Sequence, residues 1–217
     1  MILTPVVDHG LEIGAPTEGY VRTPGLHMSD IYNSLYKDLD PKRFGKPGGP
    51  DVVAMEYGSS FEEALEESIA ANLARRMTGS STRPGEFAAT AEGLIVPVGT
   101  PRSIIFSPDH FFYEEETRLG EFKSTRMTIG GGLQQKKFDK WFCQMLCYGF
   151  PLKMQHARLV ALFINGHGQW TPAEVPGFGV LPSGPLLLMW DITFTARELI
   201  DNWAIIIRHA RKKGMDV

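Results

Sequence analysis

The chain has only two cysteines among its 217 residues, and no apolar run approaches the eighteen or so residues of a membrane span. Two thiols cannot supply the four thiolates of an iron–sulfur cluster, so none is expected. Cys143 and Cys147 lie four apart on one predicted helix and read as packed free thiols of a reduced, cytoplasmic protein. The start, Met1-Ile2-Leu3-Thr4-Pro5, has neither the basic stretch nor the long apolar core of a secretory signal. No pair among His9, His27, His110, His156, His167 and His209 has zinc-motif spacing. Gly130-Gly131-Gly132 has the spacing of neither a phosphate-binding nor a dinucleotide loop, so no nucleotide cofactor is implied. No G-x-S-x-G nucleophile elbow is present. Excess positive charge is missing too. The net charge of −3 argues against a general nucleic-acid binder, though not against a protein with one local basic lining. With 43% hydrophobic and 22% charged residues, the length can bury a full core as one domain.

What is present is a pattern of acids in apolar runs. Asp109 follows Ile104-Ile105-Phe106-Ser107-Pro108, and twelve residues later comes Glu121-Phe122-Lys123. In a strand successive side chains alternate faces, so Glu121 and Lys123 share one face and Phe122 takes the other. Two carboxylates and an ammonium converging on one spot are costly without a cation between the acids. With a hard divalent cation the same group becomes a hydrolytic site, the carboxylates holding Mg²⁺ or Mn²⁺ and the lysine placing a water. The plain alternative is two acids and a lysine on solvated strands.

The coarse layout is a Gly- and Pro-rich arm over residues 1–50, then one α/β domain over 51–217. The arm holds a short helix at about 28–36, with Ser29 or Asp30 as cap, and ends in Gly45-Lys46-Pro47-Gly48-Gly49-Pro50. A helix at about 60–78 begins at a capping serine and has the apolar stripe Phe61, Ala64, Leu65, Ile69 and Leu73. At about 100° per residue Glu62 projects to the inward edge of that stripe, whereas Glu63 and Glu67 point outward. Strands are predicted at 92–98, 102–107, 111–114, 119–124, 157–165 and 185–195, with a hairpin turn at Val98–Arg102. Glu114-Glu115-Glu116 reads as a solvated turn. A helix at about 134–149 has the core stripe Phe138, Phe142, Met145 and Leu146. Beside it runs a second stripe, Lys137, Trp141, Gln144 and Tyr148, which offers charge, a flat face and two donors. Lys137, Lys140 and Trp141 are therefore candidate DNA contacts, with Lys136 and the tail Arg208, Arg211, Lys212 and Lys213 as further basic clusters. Each also serves as an ordinary helix face or core. The last helix, about 196–213, is expected to bury Leu199, Trp203, Ile206 and Ile207.

Pro108-Asp109…Glu121-x-Lys123 resembles the signature of the PD-(D/E)XK nuclease superfamily. Gly58-x-x-x-Glu62 before it and Gln144-x-x-x-Tyr148 after it resemble the RecB-like and lambda exonuclease-like branch, in that family's order. The resemblance implies a restriction-endonuclease-like fold, a central mixed sheet flanked by helices. It implies a Mg²⁺- or Mn²⁺-dependent DNA exonuclease of phage or bacterial replication or recombination. The rivals are an endonuclease of the same fold and a silent DNA-binding module. Asp109, Glu121, the Phe122 carbonyl and Glu62 would hold metal, with Lys123, Gln144 and Tyr148 completing the site. His110 departs from the pattern, since relatives often carry a small residue there. Relatives that form rings leave a homo-oligomer open, and no membrane partner is implied.

Overall fold

The computed structural model describes residues 1–7, 22–44, 61, 64–65 and 80–217. Its central feature among these is a six-stranded mixed sheet. The middle pair is β7 (Thr117–Thr125) and β8 (His156–Phe163), which run parallel. Parallel neighbours need a crossover, and α3 (Asp139–Leu152), entered through a 3-10 turn at Lys136–Phe138, supplies it. Beyond β8 lie β11 (Leu186–Thr193) and the edge strand β1 (Ile2–Val6); beyond β7 lie β6 (His110–Tyr113) and β2 (Ser80–Thr82). Every pairing except β7–β8 is antiparallel. The Gly- and Pro-rich composition of residues 1–50 predicts an irregular arm. Ile2–Val6 instead pairs with β11, and Pro5 is compatible because the strand is at the sheet edge.

A small second sheet has the order β4 (Ile95–Val96), β3 (Phe87–Ala89), β5 (Ile104–Phe106). The expected hairpin across Val98–Arg102 is thus not formed: β3 sits between the two strands and pairs with both. The tight turn lies earlier, between β3 and β4, where Gly93 takes φ +79. A short hairpin of β9 (Ala173–Val175) and β10 (Gly179–Leu181) completes the strands.

One face of the main sheet is covered by α1 (Met28–Leu39), α3 and α4 (Ala196–Lys212). Met28, Ile31, Phe142, Met145, Leu199, Trp203 and Ile206 pack there against Leu119, Leu159 and Ala161. The four residues expected to be buried in α4 are all buried. Its start is fixed by a capping box in which the Glu198 N–H donates to Thr195 Oγ at 3.1 Å and the Thr195 N–H to Glu198 Oε2 at 2.9 Å. α1 starts at Met28 as expected, but its cap is His27 rather than Ser29 or Asp30, with Asp30 accepting the His27 N–H at 3.1 Å; the four-residue turn α2 (Pro41–Phe44) follows. The opposite face buries Phe112, Phe122, Val160 and Met189 against Phe61 and Leu65. Phe61, Ala64 and Leu65 are helical and buried, as their spacing predicts. No helix among the described residues is long and apolar enough to cross a membrane.

On that second face one acid of the run Glu114-Glu115-Glu116 departs from expectation, while Glu115 and Glu116 are exposed in the turn. Glu114 is not a solvated turn residue. It accepts from Arg158, which is 4% exposed, and Arg158 also binds Asp191 at 2.7 Å. A charged strand residue needs such partners once burial removes water.

His110 lies on the same face between Phe112 and Phe122, with ring centroids 5.0 and 5.7 Å away. It is buried, and neither ring nitrogen has a hydrogen-bond partner among the described residues. Burial, then the charge of Arg83, depresses its pKa from 6.5 to about 4. The unfolded chain therefore binds a proton that the native chain refuses. Stability is full above the unfolded value and falls as pH drops from 6.5 to about 4, by up to roughly 3 kcal/mol. His110→Leu is expected to flatten that slope in urea titrations between pH 4 and 8. An unchanged slope would remove His110 as its source.

Candidate active site

The site begins where the sheet splits. β6 follows β7 only as far as the pair His110–Gly120, while β7 runs on to Thr125 beside β8. Just before β6, Ser107-Pro108 carries the chain from the small sheet to the large one, a place where proline's missing N–H costs no ladder bond. Asp109 thereby stands across from Glu121 at the mouth of the split. Its Oδ2 accepts the Phe122 N–H at 2.7 Å, so the acid takes over a backbone donor that β6 no longer meets.

Glu121 points to the helix-covered face and is 0% exposed. Lys123, on the same face, donates to Glu121 Oε1 and, at 3.0 Å, to the Phe122 carbonyl. Phe122 is buried on the other face. The alternation read from the sequence is therefore what the strand shows. Burial raises the Asp109 carboxyl above its ordinary range, against the opposing pull of Lys123 and of the Phe122 N–H.

Two tyrosines close the site from the helices. Gln144 and Tyr148 are one turn apart on α3, and Gln144 Nε2 donates to the Tyr148 hydroxyl at 3.3 Å. Tyr148 stacks on Phe106 of β5 at 5.5 Å. Burial first, then the neighbouring Tyr32 and the carboxylates of Glu121 and Asp109, holds its phenol well above the usual range, so it remains a neutral donor. Tyr32 of α1 is a member of this group that the sequence reading missed. Its phenol is raised by burial and senses Lys123, Glu121 and Asp109. In sequence it reads only as part of the apolar stripe Met28, Ile31, Tyr32, and nothing there marks it as facing charge.

The candidate DNA contacts divide. Lys140 lies over the rings of Tyr32 and Phe44, and its ammonium is lowered by burial and then by repulsion from Lys123, which puts it beside the site. Lys137 instead donates to the Thr128 carbonyl. Trp141 is 8% exposed, tilted against Phe138 at 4.8 Å and Phe163 at 6.0 Å, so its ring is not open to a base. Helical spacing tells which residues share a stripe but not which stripe meets the core. Cys143 and Cys147 are buried free thiols, as expected. Glu62 lies outside the described residues.

Among the described residues no three His, Cys, Asp or Glu side chains gather as a metal cluster. The donor set at the split is two carboxylates and the Phe122 carbonyl, all hard oxygens. The Lys123 ammonium already lies between Glu121 and that carbonyl, a positive charge held by those oxygens. This set fits Mg²⁺ or Mn²⁺, which take one or two carboxylates and complete their shell with water and substrate phosphate.

No family model matches the chain, and no curated protein matches it. Among solved structures the fold is similar to that of the protein SSO0001, with a TM-score of 0.48 and 14% identity over 89% of this chain and 77% of that one. It is also similar to a phage-related exonuclease from Haemophilus somnus 129PT, with a TM-score of 0.42 and 15% identity over 85% of this chain and 79% of that one.

Proposed function

We propose that this chain is a metal-dependent DNA exonuclease that hydrolyses phosphodiester bonds in phage or bacterial replication or recombination. The observation that carries the reading is the meeting of Asp109, Glu121, the Phe122 carbonyl and Lys123 at the split between β6 and β7. Asp109, Glu121 and the Phe122 carbonyl would hold the cation, and the sequence resemblance adds Glu62. A bound Mg²⁺ or Mn²⁺ supplies charge neutralisation at the scissile phosphate and a water of lowered pKa. The protein's own groups do the rest. Lys123, held in reach of Glu121, orients the attacking water or stabilises charge on the phosphate in the transition state. Tyr148 keeps its proton and donates a hydrogen bond toward the same spot, and Gln144 fixes the direction of its hydroxyl. Lys140 adds positive charge beside the site for the DNA backbone.

The test is digestion of end-labelled linear and covalently closed circular DNA, single- and double-stranded, in Mg²⁺ and in EDTA. Linear DNA is expected to be shortened from its ends in Mg²⁺ only, with closed circles intact. Cleavage in EDTA would remove the metal from the reading. Cutting of closed circles would make the chain an endonuclease.

A further inference from the structure

The loop after β8 presents a tryptophan to water. Trp170 is 98% exposed, yet the loop that carries it is tied down. Gly166 and Gly168 take φ +51 and +86, and their N–H groups close turns onto Phe163 and Asn165. Ile129 N donates to the Gly166 carbonyl at 3.0 Å. His167 is buried, its Nε2 paired with the Pro182 carbonyl at 3.0 Å while its Nδ1 accepts the Gln169 N–H at 3.3 Å. One neutral tautomer satisfies both bonds. A large indole on an anchored loop keeps both ring faces free without being part of a floppy tip.

Its surroundings name the partner. β7 and β8 are parallel, with Lys123 beside Ala161 and Thr125 beside Phe163, so this loop leaves the sheet at the end to which the Lys123 strand runs. It packs on the segment that continues β7. Asn165 Nδ2 donates to the Arg126 carbonyl at 2.6 Å, and a Cβ on Gly168 would lie 2.9 Å from the Thr128 side chain. Lys137 donates to the Thr128 carbonyl, and Arg126 and Lys136 are exposed. Asp139 follows Lys136 and Lys137 at the start of α3, and Glu174 on β9 follows Trp170 by four residues. An open aromatic face on a loop that packs against a segment bearing exposed cations matches a nucleic-acid strand, whose phosphates meet the charges while a base meets the ring.

We propose that Trp170 is a stacking platform for an unpaired base, holding a single DNA strand at the end of the sheet where the Asp109–Glu121 site opens. This rests on the nuclease reading above. An unpaired base is required because a base inside a duplex already has both faces covered by its neighbours.

The other tryptophans make the test selective. Trp141, Trp190 and Trp203 are 8%, 3% and 4% exposed, so quenching by acrylamide reports Trp170. The full chain is titrated in EDTA, where a metal-dependent nuclease does not cut, with a single-stranded oligonucleotide and with a closed-end duplex hairpin. The single strand is expected to quench the exposed emission and shield it from acrylamide; the duplex is not. Trp170→Ala should weaken single-strand binding about tenfold or more, with Trp170→Phe recovering most of it and neither changing the thermal midpoint. Equal single-strand affinity in Trp170→Ala overturns the proposal. So does acrylamide protection that rises with protein concentration alone, which would assign the ring to a second copy of this chain. If wild type cuts DNA in Mg²⁺ and Trp170→Ala binds as wild type does, the stacking proposal falls and the nuclease reading stands. Single-strand quenching without cleavage in Mg²⁺ upholds the platform and removes the nuclease.

Discussion

Asp109→Asn, Glu121→Gln and Lys123→Ala are each expected to slow cleavage of linear DNA by a factor of roughly 10² or more, as for groups that act as a unit. The structure decides how to make the changes. Asp109 accepts the Phe122 N–H, so Asn, which keeps an acceptor oxygen, is the informative variant. Alanine at Asp109 would leave that N–H unpaired and add a penalty of about 1–3 kcal/mol to any loss of rate. Lys123→Ala removes the ammonium that Glu121 faces in a fully buried position, so a drop in thermal midpoint should accompany the loss of rate. Added Mg²⁺ should restore part of that midpoint, since a cation that binds the native state stabilises it. Rates and midpoints measured together separate chemistry from folding. Near-wild-type cleavage by folded Lys123→Ala would take the lysine out of the mechanism.

Arg158→Met should cost the fold about 3–5 kcal/mol, the range for breaking a buried pair by removing one partner. The arginine binds Glu114 and Asp191 together and lies over the Phe112 ring at 4.9 Å. Methionine replaces its volume but not its charge. The two acids would then face each other with Arg118 remaining, 3.4 Å from Glu114 and 4.0 Å from Asp191. Neutralising the acids as well, in Arg158→Met/Glu114→Gln/Asp191→Asn, should recover most of the loss, because neither carboxylate is then left without its arginine and Arg118 keeps Glu116 at 3.9 Å. Cleavage per folded molecule should hold, since this network lies on the sheet face opposite Glu121. Urea unfolding of the single and triple variants measures both steps. A loss below about 1 kcal/mol in Arg158→Met would reduce the network to the standing of a surface pair.

Local rules carried far along this chain because period and neighbour chemistry are local quantities. The alternation of Leu119, Glu121 and Lys123 against Phe122 follows from a strand's period of two, and the structure shows it. The buried stripe of α4, and the start of the stripe at Phe61, Ala64 and Leu65, follow from a helix's period, whereas along α3 and the turn that enters it Phe138, Phe142 and Met145 are buried as expected but Leu146 is only half-buried and Trp141 and Tyr148 of the second stripe are buried instead. The pairing of an α/β core with acids at the ends of apolar runs was legible for the same reason. By themselves the residues determined the longer elements β7, β8, β11, α3 and α4, and which side chains of the acid–lysine pattern share a face. Which distant segments meet was decided only in three dimensions. Pairing of Ile2–Val6 with β11, the insertion of β3 between β4 and β5, and the bonds from Glu114 to Arg158 join residues far apart in sequence, where no periodicity reaches. The same holds for Tyr32 joining the acids and for the exchange of Trp141, taken into the core by Phe138 and Phe163, for Trp170, left in water. An aromatic side chain is equally suited to either place, and only the packing of its neighbours chooses between them.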